Sequence, residues 1–316
     1  MIRAYRNDAD LRVVESEDWE HAQWLNVVKP TQAEIQRLID MYAFPQDFLE
    51  DALDSEESSR IEYDDDSGYS LIISDFPITK SGQYKLKSFT TLPLGIIIGK
   101  DIIVTVCAKS FHYFDHLIQK PINLKYKSQF ALKVMYDMAA QYNRSLRLLN
   151  KERRQVEYNL QQRVTNQRLF LLSEIEKSLV YFLGSLKTNS STIRHLFRLP
   201  AIKRFDDDEE LLEDLKNEHQ QAVETTELYL RIVESMSNSY ASLLSNQLNT
   251  TMKTLTIFTV LLTLPTLVFS FFGMNVPLPI DTESGLSWLI IIVLSVVLSV
   301  VLVVVLFVFL WRNDKL

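Results

Sequence analysis

Two stretches near the C-terminus constrain this chain more than anything else in it. Thr254–Phe272 contains no charged residue, and neither does Leu286–Trp311. Each approaches or exceeds the roughly 20 residues that cross about 30 Å of hydrocarbon. The second is almost entirely Leu, Ile, Val and Phe, with Trp288 and Trp311 placed as interfacial anchors. The sequence therefore predicts two transmembrane helices. The loop between them, Val276–Ser287, carries no Lys or Arg; its only charges are Asp281 and Glu283. Lys253 precedes the first span, and Arg312 and Lys315 follow the second. The positive-inside rule then places both termini in the cytoplasm and the short loop outside.

The remainder, residues 1–252, is charged and rich in Asp and Glu, and the whole chain has a net charge of −7. An acidic surface does not suit phosphate binding, so no nucleic-acid partner is expected; it does suit the attraction of cations. The single cysteine, Cys107, cannot form an internal disulfide, which fits a reducing compartment. Met1–Asp10 is polar and lacks the apolar core of a signal peptide, so the N-terminal region is expected to stay in the cytoplasm.

Strand-like runs at Leu11–Glu15, Trp24–Val28, Tyr69–Phe76, Phe89–Ile98 and Ile102–Cys107 alternate with helical patterns. Thr31-Gln32-Ala33-Glu34 is a capping box, and Pro45–Leu53 and Ser110–Ile118 read as short helices. These predict an α/β domain over residues 1–125. From Lys127 to Leu186 there is no proline and one glycine, Gly184, with apolar residues at helical spacing. Long amphipathic helices are therefore expected over residues 126–204, with breaks at Leu186–Ser191 and at Leu199–Pro200. Asp206-Asp207-Asp208-Glu209-Glu210 places acids at a helix N-terminus. The pattern then continues as a stalk helix over residues 205–253 and a first span with its following motif over 254–275. A 276–285 loop, a second span over 286–311 and a 312–316 tail complete the chain. A helix of about 65 residues would be roughly 100 Å long, too long for a small globular domain.

The first span is not uniform. Asn249, Met252, Thr256, Thr259, Thr263, Thr266 and Ser270 are spaced three and four apart in alternation, so they share one helix face, and the next step on it is Gly273. Serine and threonine in a span often bond to their own helix or join helices together. Alternatively, several copies surround an axis and turn this face to water. One polar helix cannot enclose a pore, so that reading requires a symmetric homo-oligomer. The second span looks featureless and is expected to form an outer helix.

At Gly273-Met274-Asn275, directly after the first of two C-terminal spans, the sequence resembles the CorA family of magnesium and cobalt transporters. Met252-Lys253 at the start of that span and Pro265 within it are also similar to the family. So are Trp24–Val28, Lys29-Pro30-Thr31, Phe48–Asp54 and Arg60-Ile61-Glu62 in the soluble part. The resemblance implies a funnel-shaped homopentamer whose cytoplasmic α/β domain is a sheet sandwiched by helices. It implies a magnesium channel of the cytoplasmic membrane, gated by intracellular magnesium and also open to cobalt or nickel. Zinc, or a poorly selective flux on the same fold, is the alternative; a membrane-anchored scaffold without flux is a remoter one.

By the same resemblance, Gly273, Met274 and Asn275 form the selectivity filter, with Asn275 ringing the outer mouth against the hydrated ion. Asn249, Met252 and Leu255 or Thr256 fall in the inner neck, and the rest of the stripe lines the pore. Asp214 falls at an inter-subunit regulatory metal site. Gly273 is expected to turn the chain sharply toward Asn275. The tail, with only Arg312 and Lys315, is less basic than in many relatives, and Val276-Pro277-Leu278-Pro279 lacks an early acid. His112 and His116 are four apart, with Asp115 between them on a predicted helix, but without a third matched ligand no zinc site is expected there. No catalytic constellation stands out, and no enzymatic activity is expected.

Overall fold

A computed structural model describes residues 1–81, 87–109, 114–119, 122–162, 165–202, 206–274 and 285–313. The chain divides into two compact units, Met1–Asn238 and Ser239–Leu316.

The first unit is built on a seven-stranded sheet. Its strands are β1 (Ile2–Asn7), β2 (Val13–Ser16), β3 (Trp24–Val28), β4 (Arg60–Tyr63), β5 (Ser70–Ser81), β6 (Lys87–Ile98) and β7 (Ile103–Cys107), in the order β2-β1-β3-β7-β6-β5-β4. Neighbours are antiparallel except β3 and β7, whose parallel pairing runs from Trp24–Ile103 to Val28–Cys107. Successive side chains point to opposite faces, and both faces here are apolar. Ile72, Leu94, Ile96 and Ile103 enter one core, while Leu71, Ile73, Ile97 and Val104 enter the other. This is why the central strands read as continuous apolar runs.

Helices cover both faces. On one side lie α1 (Gln32–Tyr42) and α2 (Gln46–Leu53), contributing Leu38, Phe48 and Leu49. The Thr31 hydroxyl accepts from the Glu34 amide at 3.3 Å, and the Glu34 carboxylate returns to the Thr31 amide at 2.8 Å, completing the capping box that the sequence encodes. On the other side α4 (Lys127–Gln162) supplies Phe130, Val134 and Met138, and α5 (Asn166–His195) crosses β5 and β6. The short α3 (Phe114–Ile118) closes one end of this core through Phe114 and Leu117. Trp24 lies at the centre, stacked on Tyr5 with ring centroids 4.5 Å apart, its indole N–H donating to Thr105 Oγ1 at 2.9 Å.

Several expectations change. The sequence places no strand at Ile2–Asn7 or Arg60–Tyr63. In β1 only Ala4 and Tyr5 are fully buried, so pairing with two neighbours decides it rather than composition. β4 is an edge strand, held by Arg60, which pairs with Asp51 at 2.6 Å and with Glu57. The break expected at Leu186–Ser191 does not occur, because α5 runs through it to His195. Its weak helix formers find partners instead. Asn189 Oδ1 accepts from the Ser74 hydroxyl at 3.0 Å and the Asp75 amide at 2.9 Å, and its Nδ2 donates to the Asp75 carbonyl at 2.8 Å. Thr188 donates to the Ser185 carbonyl at 2.9 Å. The 126–204 region is therefore a hairpin of two helices, with Thr165 capping the second, followed by a 3₁₀ turn at Leu196–Arg198.

The last two helices are α6 (Asp206–Phe272) and α7 (Gly285–Asn313). The 67 residues of α6 form one helix, as the sequence predicts, beginning at the acidic run and passing through Pro265. Its first part belongs to the first unit: Ser128 at the start of α4 donates to Asp208 at 2.9 Å, and Asn143 donates to the Glu218 carboxylate at 2.8 Å.

Two predictions follow from this packing. A Cβ on Gly95 would collide with the Ala52 Cβ, so α2 sits directly against the backbone of β6. Gly95→Val should displace α2 and cost about 1–3 kcal/mol, read as a lower denaturation midpoint; an unchanged midpoint would mean that α2 is not seated there. Asp75 is buried among Ser59, Ser185 and Asn189, and burial raises its carboxyl pKa against the lowering effect of the serine hydroxyls. The folded state thus binds this proton more tightly than the unfolded chain, and ionisation costs stability as pH rises above the unfolded value of about 3.9. Asp75→Asn should therefore raise the thermal midpoint at pH 7.5, with the gain shrinking toward pH 4. A deficit at pH 7.5 would refute this.

Candidate ion pathway

The distal half of α6 and the whole of α7 lie in the second unit. α6 is long and apolar enough to cross a membrane, with a mean hydropathy of 1.9 over its apolar window; among the described residues the apolar part of α7 is Gly285–Val301. A helix suits such a segment, because hydrocarbon would offer no partner for backbone polar groups and a helix bonds them internally.

The stripe residues Asn249, Met252, Thr256, Thr259, Thr263, Thr266 and Ser270 are all exposed in the isolated chain, as is Leu255. Their hydroxyls follow one rule. Thr256 donates to the Met252 carbonyl at 2.8 Å, Thr259 to Leu255 at 2.9 Å, Thr263 to Thr259 at 2.7 Å and Thr266 to Leu262 at 2.8 Å. Thr250, Thr251 and Thr254 do the same one to two turns earlier. The back-bonding that the sequence left as an alternative to a water-facing stripe is therefore present, and the two are compatible. A hydroxyl has one proton and two lone pairs. With the proton committed to the helix, each threonine presents outward an oxygen that can only accept. Such a row suits a cation or its water shell, and the helix needs no second partner for it.

The orientation of the stripe is also informative. The partly covered positions of this segment are Val260, Leu261, Pro265 and Val268. At about 100° per residue, Leu261, Pro265 and Val268 lie on the side of the helix opposite the threonines. The side that the chain itself covers is the apolar side, and the acceptor row is left open. Pro265 has no amide to offer the Leu261 carbonyl, and it too lies on the covered side.

α7 differs from the featureless helix expected. Ser287, Ser295 and Ser299 are buried while most of its aliphatic residues are exposed. Ser295 donates to the Ile292 carbonyl at 2.8 Å and Ser299 to the Ser295 carbonyl at 2.7 Å. Small side chains at intervals of eight and four mark one covered face, as in close helix packing within membranes. Three hydroxyls on one side of an aliphatic helix were the available signal.

Helix α6 ends at Phe272. The Gly273 amide donates to the Phe269 carbonyl at 2.8 Å, and Met274 follows, half exposed. Gly273 is not in the left-handed region, where Gly68 alone is found among the described glycines, and the turn expected toward Asn275 leads out of the described residues. Its constraint is proximity: a Cβ would lie 3.1 Å from the Phe269 carbonyl oxygen. Asn275, Asp281 and Glu283 lie outside the described residues, as do His112 and the side chains of Asp115 and His116.

Asp214 is exposed on the first-unit part of α6. Together with Glu218 and Asp137 it surrounds the Tyr136 phenol, whose pKa is raised first by burial and then by these three charges. Among the described residues no group of three or more metal-ligating side chains comes together within one chain.

Comparison with known proteins adds to this geometry. The sequence pattern of the family described as CorA-like Mg2+ transporter protein matches residues 19–312. The chain is 26% identical over 285 residues to the cobalt/magnesium transport protein CorA of Methanocaldococcus jannaschii, covering 86% of each. The complete structure of the CorA magnesium transporter from that organism superimposes with a TM-score of 0.75 at 22% identity, covering 100% of this chain and 98% of that one. The cytoplasmic domain of ZntB from Vibrio parahaemolyticus has a TM-score of 0.59 at 11% identity, covering 77% and 98%. The last two likenesses concern the fold.

Substituted cysteines test the orientation of the stripe. The native background is silent, because Cys107 is buried and its thiol is pushed up to about 11 by burial. In membranes, Thr263→Cys should react with a charged, water-soluble thiol reagent and Val268→Cys should not. Equal labelling at both positions, or none at residue 263, would rule out a water-facing stripe.

Proposed function

This chain belongs to the CorA-like Mg2+ transporter family, whose members carry divalent cations across membranes, and from that membership we propose that it is a homopentameric magnesium channel of the cytoplasmic membrane. The observation that carries the proposal is the acceptor row on α6. It runs from Thr256 to Thr266, opposite the covered side, and points along the helix toward Ser270 and Gly273-Met274-Asn275. One such row cannot enclose a path, so the protein works as a ring of identical subunits with α6 inside and α7 outside. Both helices span the bilayer, the soluble unit and both termini are cytoplasmic, and the connecting loop is external.

Magnesium loses its water reluctantly and keeps an octahedral shell. A ring of Asn275 amides offers neutral oxygens to that shell, holding the hydrated ion less tightly than a ring of carboxylates would. Binding strong enough to admit the ion and weak enough to release it is what conduction requires. Gly273 and Met274 place the asparagine; the thioether is too soft to ligate magnesium. Past the acceptor row, Leu255, Met252 and Asn249 form the inner neck that opens and closes. Asp214 contributes to a magnesium site between neighbouring subunits. When cytoplasmic magnesium falls, repulsion among the freed carboxylates loosens the ring and opens the neck. Cobalt, similar in size and in octahedral preference, is the second ion expected to pass.

Reconstitution in liposomes with an interior magnesium dye provides the test. Wild type should admit magnesium, and Asn275→Ala should reduce entry at least about tenfold while chemical cross-linking still gives a pentamer. Passage of zinc alone would reassign the cargo, and no flux of any ion would leave the two spans as an anchor.

A further inference from the structure

One buried titratable group in the first unit has no part in the pathway above. His219 lies on α6, 5% exposed, against α5. Its Nε2 is 2.9 Å from the Leu186 carbonyl and 2.9 Å from Ser190 Oγ, and the Ser190 hydroxyl itself donates to the Leu186 carbonyl at 2.9 Å. A carbonyl oxygen only accepts, so Nε2 carries the proton and is shared between the two oxygens. Among the described residues none forms a hydrogen bond with Nδ1. The imidazole is thus held as one neutral tautomer, and it fastens α6 to the stretch of α5 that Asn189 fastens to β5.

We propose that His219 is a proton-sensitive latch: a proton taken up at Nδ1 puts an unpaired charge between α5 and α6 and releases α6, coupling ion flux to cytoplasmic acidity. The regulatory ligand is the proton. The link to flux rests on the reading that the distal half of the same helix lines the ion path.

The surroundings favour this titration over competing ones. On α6, Glu218 adjoins the histidine but is held by Asn143 of α4 at 2.8 Å. On α5, the Lys187 ammonium lies 3.7 Å from Glu227. Toward the sheet, Asp75 and the Tyr142 phenol meet at the far side of Asn189, where Tyr142 donates to the Asp75 carbonyl at 3.1 Å. None of these charges shifts the histidine. Burial lowers its pKa from the ordinary value, opposed only by the Leu186 carbonyl.

The sign follows from the linkage. With the latch closed the imidazole resists protonation; with α6 released it titrates like a peptide histidine, near pH 6.5. The closed form is fully favoured above that value, and it loses about tenfold per pH unit below it until the closed-state pKa is reached.

Two readouts on the full-length protein test this. The first is hydrogen exchange of residues 210–226 in lipid nanodiscs from pH 7.5 to 5.0, corrected for the intrinsic rate. The second is magnesium entry into liposomes whose protein-facing interior pH is stepped over the same range. Wild type should lose protection by about tenfold per unit below pH 6.5, and flux should change over the same window. His219→Gln should be flat in both, because its amide can still donate to Leu186 but has no proton to gain. Ser190→Ala, which keeps the imidazole, should still titrate.

A wild type without the transition, or a glutamine variant that keeps it, overturns the latch. A transition in exchange beside a flux that ignores it overturns the coupling. The same transition with no flux of any ion at any pH upholds the latch and overturns the channel reading instead.

Discussion

Hydrocarbon offers no partner to a backbone amide or carbonyl, so a chain that enters it must satisfy each of them internally. The apolar part of α6, long enough to cross a membrane, meets that requirement as one continuous helix. Threonine is an indifferent helix former because its hydroxyl competes for the backbone, yet this segment carries seven threonines between Thr250 and Thr266. They are tolerated because each donates to the carbonyl four residues back, adding a bond to the ladder. The same geometry leaves their lone pairs facing outward. A hydroxyl that has given up its proton to the helix is an acceptor held at a fixed angle. Pro265, the position that subtracts a backbone donor, sits where the chain covers itself.

The first unit solves a different problem, that of holding a long helix beside a sheet both of whose faces are already apolar. Core packing does part of this through Leu212 and Leu215. Orientation comes from a few polar contacts that each have one geometric solution: Ser128 with Asp208, Asn143 with Glu218, and His219 with Leu186 and Ser190. Buried hydrogen bonds add about 1 kcal/mol each, but an unmade one costs more, so such contacts fix register more firmly than they add stability. Asn189 plays the same part between α5 and β5, using both its carbonyl and its amide.

Much of this fold is legible in the sequence, and the gaps have physical causes. Trp24–Val28 and the capping box at Thr31 are read at their observed positions because pattern and cap are local signals. The start of α6 at Asp206 is equally local. β1 and β4 escape because pairing with neighbouring strands decides them, while their own side chains carry little apolar pattern. The continuity of α5 escapes because Thr188, Asn189 and Ser190 look like breakers until their partners are known. At the candidate site, the heptad spacing of Thr256 to Ser270 places the stripe on one face without any structure. That the face lies opposite the covered side required the fold, as did the serine face of α7. The Gly-Met-Asn motif was found by resemblance, since three residues carry no physical signature of their own.

The stripe from Asn249 to Ser270 contains no ionisable side chain. Fixed charge along a conduit concentrates ions of the opposite sign, and a lining of uncharged oxygens has no such hold on a cation. In a channel built on this helix, the sense of net movement would be set by the electrochemical gradient alone.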